Sequence, residues 1–312
     1  MSDLLIFSGG SNVELAREIC SYLEIELSQL SINTFSNGNL SIKILTNVRE
    51  KDVFVIQSFT DPVNRSIMEL FITMDALRSA SAKRITAVIP YFSYSRSDKK
   101  DAPRISIAAR LMADLIKEAG ANRVLTMDLH SDSVHGFFSM PVDHLTAIPI
   151  IAEHLQQNMD LTFAVAIATD AGGAKRVGRF VSYLNIPMAI IDKRRIDDVK
   201  VEQGLVVGNV KDRDAIIFDD EISTGGTLMA TAKTLTEAGV RKMLIGVTHP
   251  VFCGDAIANM VKSKLEQVIV TNTVHVSEEK KFDRLTVLSV APLFAEAIKR
   301  IHTGESVSAL FK

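Results

Sequence analysis

The residues with the clearest chemical potential form one short stretch, residues 218–227, in which two carboxylates precede a turn rich in hydroxyl groups. Asp219 and Asp220 follow a short apolar run, and a sequence typical of a helix begins after the turn. At such a strand-to-helix turn, several backbone N–H groups lack partners and the helix dipole favours an anion. The carboxylates can accept hydrogen bonds from sugar hydroxyls or help to hold a divalent cation. The stretch therefore predicts a sugar phosphate site.

Hydroxyl and glycine residues of the turn complete this candidate site. They are Ser223, Thr224, Gly225, Gly226 and Thr227. No Gly-Lys-Ser/Thr sequence follows the glycines, which excludes a P-loop, and the spacing is not that of a dinucleotide fingerprint. A purely structural explanation, with an aspartate as helix N-cap and a glycine in a tight turn, accounts for one carboxylate and one glycine only.

Strands and helices must alternate along the chain to position such a turn. Apolar runs typical of buried strands cover residues 53–56, 85–89, 124–127, 164–167, 215–218 and 244–247. A helix is predicted over residues 105–119, with Pro103 near its start and Gly120 at its end. This alternation predicts an α/β protein with parallel, doubly wound sheets.

A local pattern recurs in the two halves of the chain. Residues 80–88 and 238–246 both combine a helix end, a basic pair and a buried strand. The similarity indicates a duplicated domain, and we expect an N-terminal domain over residues 1–147 and a C-terminal domain over residues 148–312. A chain of 312 residues is long enough for two such domains, each with its own core.

Composition restricts the partners and the compartment. The net charge of −2 gives no indication of a nucleic-acid partner, and no apolar run approaches the ~20 residues of a membrane span. The N-terminus lacks a signal-peptide pattern, and Cys20 and Cys253 are predicted to be buried free thiols. We therefore expect a cytoplasmic globular protein that binds neither nucleic acid nor membranes.

Polar side chains also follow two other predicted strands. His130 comes shortly after the strand that ends at Met127, and Asp170 follows the strand over residues 164–167. Ligands in open α/β sheets bind beyond the carboxyl ends of strands, so both residues are candidates for a working site. His130 could ligate a metal, contact a phosphate, or be satisfied by local backbone.

Two charged segments are candidates for contacts with a phosphorylated substrate. Residues 91–104 place aromatic rings next to four cations, which suits either a stacked nucleobase with Arg96 on a phosphate or a solvated loop. Residues 192–200 carry three consecutive cations after another apolar run. They suit either a closing flap that neutralises a transferring phosphoryl group or a solvated surface.

Taken in order, these motifs resemble the ribose-phosphate diphosphokinases, or PRPP synthetases, which consist of two type I phosphoribosyltransferase-like domains. The matching segments are residues 7–10, 35–38, 94–100, 127–130, 136–138, 170–176, 192–195, 218–227, 248–250 and 304–308. The resemblance implies transfer of the β,γ-diphosphoryl group of ATP to the anomeric hydroxyl of ribose 5-phosphate. The products are PRPP and AMP, for nucleotide biosynthesis.

The resemblance also implies roles for individual residues. Those expected to bind ribose 5-phosphate are Asp219, Asp220, Ser223, Thr224, Gly225, Gly226 and Thr227. Those expected to bind ATP are Phe35, Asn37 and Asn39, which read adenine from a neighbouring subunit, and Arg96 and Ser97, which grip its phosphates. His130 and Asp170 are expected to ligate Mg²⁺, and Lys193 and Arg195 to act in catalysis. The family further implies a homo-oligomer, with dimers assembling into a hexamer.

Four residues depart from the usual pattern of the family. Ser223 stands where Asp is usual, Ser97 and His135 where Gln is usual, and Asn39 where an acid is usual. The family's regulatory phosphate or ADP site maps near Arg49, Arg104, His135 and residues 306–308. The departures favour one alternative, a weakly active homologue that regulates an active synthetase. A phosphoribosyltransferase is a second alternative.

Overall fold

The computed structural model describes residues 3–192, 195–197, 200–201 and 205–311, and the side chains of 195–197, 200–201 and 311 lie outside this description. Within these residues the chain divides into two compact units. Unit 1 comprises Met1–Thr146, Thr273–His275 and Ser289–Lys312. Unit 2 comprises Ala147–Asn272 and Val276–Leu288.

The N-terminal part of unit 1 alternates strands and helices. Its elements are β1 (Leu4–Ser8), α1 (Val13–Tyr22), β2 (Leu30–Thr34), β3 (Leu40–Ile44), β4 (Asp52–Ile56), α2 (Val63–Ser79), β5 (Arg84–Ile89), α3 (Ala108–Glu118), β6 (Arg123–Met127) and β7 (Val142–Leu145). Over the described residues, five strands form a parallel sheet of order β1-β4-β5-β6-β7. Strands β2 and β3 form a separate antiparallel hairpin.

Unit 2 has the same alternation around a larger sheet. Its elements are α4 (Ile148–Asn158), β8 (Ala164–Ala168), α5 (Ala174–Leu184), β9 (Met188–Asp192), β10 (Arg195–Asp197), β11 (Lys200–Val201), β12 (Leu205–Val207), β13 (Asp214–Ile222), α6 (Gly226–Glu237), β14 (Lys242–Pro250), α7 (Ala256–Lys262), β15 (Gln267–Thr271) and β16 (Leu285–Leu288). In the described part of the unit, the sheet order is β12-β9-β8-β13-β14-β15-β16. Its pairings are parallel except for that of β12 with β9.

The last helix, α8 (Ala291–Thr303), returns to unit 1 and packs against α1. Arg84 donates to the Ile301 carbonyl at 2.9 Å, and His302 Nδ1 lies 2.7 Å from Asp52 Oδ2. Residues 289–312 therefore complete unit 1, whereas the division made from the sequence assigned them to the C-terminal domain. The reason is that α8 finds its hydrophobic and ionic partners on α1, β4 and β5.

Each unit buries its own hydrophobic core, and the apolar runs of the sequence form its centre. Every residue of β4 and of β8 is buried. Helices that cover both faces of a parallel sheet bury its strands completely, which is why these strands have continuous apolar sequences. The six predicted strands are confirmed, because each lies within an observed parallel strand. No helix within the described ranges is long and apolar enough to cross a membrane.

The helix predicted over residues 105–119 is present, but it begins three residues later than predicted. Helix α3 starts at Ala108, whose N–H donates to Ser97 Oγ at 3.3 Å. The next N–H, that of Ala109, donates to the Ser97 carbonyl at 3.2 Å. Because Ser97 accepts hydrogen bonds from these two N–H groups, it determines where the helix begins. Pro103, which the sequence analysis took to mark the helix start, does not.

The two sheets share one register. Asp52, the first residue of β4, pairs with Leu4 and Arg84, and Asp214, the first residue of β13, pairs with Ala164 and Lys242. The order β1-β4-β5-β6-β7 therefore matches β8-β13-β14-β15-β16, in agreement with the predicted duplication. The match makes each residue of β4 equivalent to one of β13.

Candidate functional site

The carboxylate pair lies at the point of unit 2 where the strand order reverses. From β8 the chain moves to β9 on one side, and from β13 it moves to β14 on the other. Strand β13 pairs with β8 as far as Ile217 but with β14 as far as Ile222. A crevice at such a reversal is the usual ligand position in open α/β sheets. Asp219 and Asp220 thus lie inside the strand, and the prediction that the strand ends at residue 218 was wrong because pairing with β14 continues.

Arg176 joins the two carboxylates. Its Nη1 lies 2.8 Å from Asp219 Oδ1 and 2.8 Å from Asp220 Oδ1. Thr169 Oγ1 donates to Asp219 Oδ2 at 3.1 Å, and the Asp220 N–H donates to Asp219 Oδ1 at 2.9 Å. The Asp220 side chain is 3% exposed and that of Asp219 20% exposed. The pair is therefore held rigidly, and Asp219 is its more accessible member.

Burial raises the pKa of Asp219 from 3.8 to about 7, and the neighbouring Asp220 carboxylate adds to the increase. The Arg176 cation acts in the opposite direction but offsets only part of it. Two adjacent carboxylates repel each other, which favours the binding of a proton by one of them. The pair favours a ligand that brings hydroxyl donors to it.

The turn after β13 forms a cradle for an anion. The N–H groups of Phe252 and Cys253 donate to the carbonyls of Ile222 and Ser223, each at 2.9 Å, and so anchor the start of the turn. Gly225 has a φ of +77°, which favours glycine, and helix α6 begins at the next residue. Its first-turn N–H groups have no acceptor within the helix.

The side chains around this cradle are accessible. Ser223 is half-buried, whereas Thr224, Gly226 and Thr227 are exposed. The seven residues predicted to bind a sugar phosphate are thus brought together: two carboxylates at the end of β13 and five residues at the start of α6. Cys253, beside the turn, is exposed, so the prediction that both cysteines are buried was wrong for Cys253 and correct for Cys20.

Asp170 follows β8, the strand next to β13, by two residues. It is exposed, and its Oδ1 accepts the Gly173 N–H at 2.9 Å. A Cβ atom on Gly172 would lie 3.2 Å from that oxygen, so the glycine leaves room for the carboxylate. Asp170 therefore lies at the same end of the sheet as the carboxylate pair.

His130, the other predicted metal ligand, lies in unit 1 after β6. The turn that carries it is fixed by β7, because the Asp128 N–H donates to the Leu145 carbonyl at 3.0 Å and the Leu129 N–H to His144 Nε2 at 2.8 Å. Asp128 has a φ of +38°, which is uncommon for a residue other than glycine. His144 was missed at the sequence level, because its proximity to His130 depends on strand pairing.

The fit to magnesium differs between the two predicted ligands. Magnesium prefers oxygen ligands and usually takes one or two carboxylates, with waters and substrate phosphates completing its shell. Asp170 fits this description, whereas the imidazole of His130 is a ligand more typical of zinc or copper. Among the residues that the structure describes, no group of three or more His, Cys, Asp or Glu side chains is arranged to hold a metal.

The predicted nucleotide contacts lie in two places in unit 1. Phe35, Asn37 and Asn39 form the exposed tip of the β2–β3 hairpin, where Phe35 is 58% exposed. Arg96 is exposed and follows β5, and the Ser97 hydroxyl is engaged at the start of α3.

Two of the rings that precede Arg96 are buried and therefore not available to a nucleobase. Tyr91 and Phe92 are buried, and the Phe92 ring packs 5.4 Å from Phe59 and 5.9 Å from Phe138. The proposal that this loop stacks a base was therefore wrong for these two rings. Tyr94 is half-buried and donates to Asn64 Oδ1 at 3.0 Å.

The two predicted catalytic cations, Lys193 and Arg195, lie in or beside residues that the structure does not describe. Lys193 lies outside the described residues. Arg195 is the first residue of β10, which pairs with β11, and its side chain is not described. Both catalytic roles remain predictions.

Unit 1 also contains a cavity of about 420 Å³ that includes two of the predicted regulatory positions. His135 and Ser308 line it together with Asp132, Asp143 and His144. The last of these is also the acceptor for Leu129. The cavity and the turn that carries His130 thus share one side chain.

Comparison with known proteins gives matches along the whole chain. Residues 4–120 match the family described as the N-terminal domain of ribose phosphate pyrophosphokinase, and residues 197–312 match the phosphoribosyl synthetase-associated domain. The chain is 45% identical over 311 residues to a ribose-phosphate pyrophosphokinase of Aquifex aeolicus, with all of both chains covered. It is 48% identical to that of Deinococcus radiodurans, covering 99% of this chain and 98% of the relative.

A solved structure gives the same result for the fold. The crystal structure of phosphoribosylpyrophosphate synthetase from Mycobacterium smegmatis superposes with a TM-score of 0.93 at 37% identity, covering 97% of this chain and 99% of that one. The predicted fold class, two similar doubly wound parallel-sheet domains of the type I phosphoribosyltransferase-like fold, is confirmed.

Proposed function

The chain belongs to the ribose-phosphate pyrophosphokinase family, and we propose that it works as such an enzyme through a ribose 5-phosphate site in unit 2. The reaction transfers the β,γ-diphosphoryl group of ATP to the anomeric hydroxyl of ribose 5-phosphate and yields PRPP and AMP. One observation carries the assignment of the site. The carboxylate pair at the end of β13 connects, through one short turn, to the N-terminus of α6.

Ribose 5-phosphate spans this connection. The oxygens of Asp219 and Asp220 accept hydrogen bonds from the ribose hydroxyls. The N–H groups of the first turn of α6, with the hydroxyls of Thr224 and Thr227, hold the 5-phosphate dianion. Ser223, where the family usually has Asp, offers a neutral hydroxyl at this point and removes one negative charge from the neighbourhood of the phosphate.

ATP binds through residues of unit 1 and of a second copy of the chain. Arg96 pairs with the phosphates, and Phe35, Asn37 and Asn39 read the adenine of the neighbouring subunit's nucleotide. The exposure of the hairpin tip supports this arrangement, since a ring that is 58% exposed in one chain is available to a partner. We propose a homo-oligomer in which dimers assemble into a hexamer, as the family resemblance implies. Light scattering of the purified chain tests this.

His130 remains a predicted ligand in unit 1, and the carboxylate of Asp170 in unit 2 would hold a divalent cation, Mg²⁺. When bound, it neutralises charge on the transferring diphosphoryl group. Lys193 and Arg195 add positive charge to the same group. The anomeric hydroxyl is already a competent nucleophile once it is aligned with the phosphorus, so positioning by the carboxylate pair matters more than a strong base.

The cavity of unit 1 that His135, His144 and Ser308 line is the regulatory site for phosphate or ADP. His135 introduces an imidazole there, and its Nε2 lies 3.3 Å from the Val142 carbonyl. Because the family usually has Gln at this position, we expect an altered response to effectors. Titrating phosphate and ADP into the activity assay tests this.

Ser97 favours a second candidate function, a weakly active homologue that regulates an active synthetase. Its hydroxyl accepts the Ala108 N–H and donates to the Ser106 carbonyl at 3.3 Å, so it serves the helix start. It is therefore a poorer contact for ATP than a longer Gln side chain. The same argument does not apply to Asp219, Asp220 or Asp170, whose geometry suits an active enzyme.

The purified chain with ribose 5-phosphate, ATP and MgCl₂ decides between these functions. ³¹P NMR of the mixture follows ATP, AMP and PRPP together. Equal appearance of AMP and PRPP supports the synthetase. No PRPP from the chain alone, with altered output when an active synthetase is added, would support the regulatory homologue instead.

A further inference from the structure

We propose that Arg176 is a positioning residue for ribose 5-phosphate, which holds Asp219 and Asp220 in the arrangement that accepts the ribose hydroxyls. The inference rests on the function proposed above. Arg176 is not among the residues that the sequence predicted for the site. It acts through the two carboxylates rather than on a reacting atom.

The geometry of the contact is that of a clamp. One guanidinium nitrogen lies 2.8 Å from an oxygen of each carboxylate, and the Arg176 side chain is 19% exposed. The residue lies in the first turn of α5, directly after the loop that carries Asp170. The position of Arg176 is therefore fixed by the same strand-to-helix connection that forms the crevice.

Charge makes the clamp necessary. Asp219 and Asp220 are adjacent, largely buried and alike in charge, which favours protonation of one of them. A protonated carboxyl group donates a hydrogen bond where the carboxylate accepted one, and so loses its match to a sugar hydroxyl. Arg176 opposes this change, and Thr169 keeps the other Asp219 oxygen in place.

Unit 1 shows that the sheet itself does not require an arginine here. The residues equivalent to Asp219 and Asp220 are Gln57 and Ser58, which are neutral, as the shared register shows. The first turn of α1 has the buried apolar residues Leu15 and Ala16 where α5 has Arg176. An arginine is thus present in the unit that has the carboxylate pair, whereas the unit with neutral residues at these positions has apolar side chains instead.

Kinetics of Arg176→Gln and Arg176→Lys test the inference, with Arg179→Gln as the matched control on an exposed face of the same helix. We expect Arg176→Gln to raise KM for ribose 5-phosphate about tenfold or more while KM for ATP changes less than about twofold. Arg176→Lys restores part of the affinity, because the charge remains. Arg179→Gln behaves as wild type.

Calorimetric titration of ribose 5-phosphate without ATP supplies a readout that is independent of turnover. Arg176→Gln should weaken binding by the same factor and move the acidic limit of binding to higher pH. Equal increases of both KM values, or unchanged ribose 5-phosphate binding in a folded Arg176→Gln variant, would overturn the inference alone. A wild-type chain that does not bind ribose 5-phosphate would overturn the proposed function as well. Should Arg176→Gln not fold, unchanged affinity in Arg176→Lys would count against the clamp.

Discussion

The central strands of the two units have the same register but end in opposite ways. In unit 1, β4 is followed by Gln57 and Ser58, which are fully buried. Gln57 Oε1 accepts the Ser11 hydroxyl at 2.8 Å, and its Nε2 donates to the Ser66 carbonyl at 3.0 Å. Glu69 closes the network by accepting from the Gly10 N–H and from Gln57. Every bond of this group stays within unit 1.

In unit 2 the equivalent end is open. Asp219 and Asp220 both contact Arg176, and the chain then continues into an exposed, hydroxyl-rich turn at the start of α6. The sheet places the two strand ends at equivalent positions, and the residues that follow each strand determine what that position does. The end of β4 stabilises the fold, whereas the end of β13 is the ligand site that we propose.

Removing the carboxylates should give the largest effect. We expect the double variant Asp219→Asn, Asp220→Asn to lower kcat/KM for ribose 5-phosphate about a thousandfold, because each charge-assisted hydrogen bond is worth about 1.5–3 kcal/mol. The unit 1 counterpart, Ser58→Ala, removes the bond from Ser58 Oγ to the Thr273 carbonyl at 2.6 Å. It should lower stability and leave KM unchanged. Steady-state kinetics and urea denaturation of both variants check this. Similar losses of kcat/KM in the two variants would contradict the difference in role between the ends of β4 and β13.

Much of this contrast was predictable from the sequence. The features that were not predictable have physical causes. The apolar runs gave the strands because buried parallel strands must be apolar on both faces. The carboxylates, hydroxyls and glycines of the turn are neighbours in the chain, so their type and spacing predicted a sugar phosphate site directly.

Contacts made through pairing were not predictable in the same way. The extension of β13 to Ile222 depends on β14, and carboxylates are poor strand formers. Arg176 belongs to a segment recognised as a motif, but nothing local shows that it reaches both carboxylates. His144 and the buried Tyr91 and Phe92 likewise acquire their roles from distant neighbours.

Filling the space at Gly9, directly after β1, should destabilise unit 1. A Cβ atom on Gly9 would lie 2.3 Å from Gln57 Oε1 and 2.8 Å from Glu69 Oε1. Both side chains are buried and hydrogen-bonded, so moving them leaves polar groups unpaired. We expect Gly9→Ala to cost about 3 kcal/mol in the free energy of unfolding. Gly136→Ala is the control, because a Cβ atom there would meet no heavy atom within 4 Å beyond its own residue and its two chain neighbours. Equal stability of the two variants in urea would show that the network adjusts freely.

The pH dependence of the free energy of unfolding should report on the carboxylate pair at the end of β13. The pKa of Asp219 is raised from 3.8 to about 7, mainly by burial and by Asp220, so the folded protein holds a proton that the unfolded chain releases. This contribution to stability is fully present below about pH 4 and is lost as the pH rises to about 7. The stability of wild type relative to Asp219→Asn should therefore fall across this range and stay level above it. A difference that does not vary with pH would contradict the raised pKa.

Loosening the turn that carries His130 should have a smaller effect. His144→Phe removes the acceptor for the buried Leu129 N–H, which costs about 1–3 kcal/mol locally. We expect about a tenfold loss in kcat with a raised requirement for Mg²⁺. His144→Gln retains an acceptor and should recover much of the activity. Equal activity of the two variants would show that His144 does not position His130.

The smallest effect is expected from Thr169, whose unit 1 equivalent by register is Gly9. Thr169→Val removes one hydrogen bond to Asp219 while keeping the shape of the side chain. The bond affects ribose 5-phosphate only through the position of Asp219, so we expect an indirect loss of about 1 kcal/mol, which raises KM about fivefold. Thr162→Val, at an exposed site of the same unit, serves as the control. A tenfold or larger rise would mean that Thr169 contacts the sugar itself.

Binding stoichiometry tests the difference between the two units most directly. Calorimetric titration of ribose 5-phosphate into the full-length chain, without ATP, counts the sites and measures their affinity. One molecule bound per chain, lost in the double variant Asp219→Asn, Asp220→Asn, is the result that the open end of unit 2 predicts. Two molecules per chain, or binding that survives in the double variant, would contradict it.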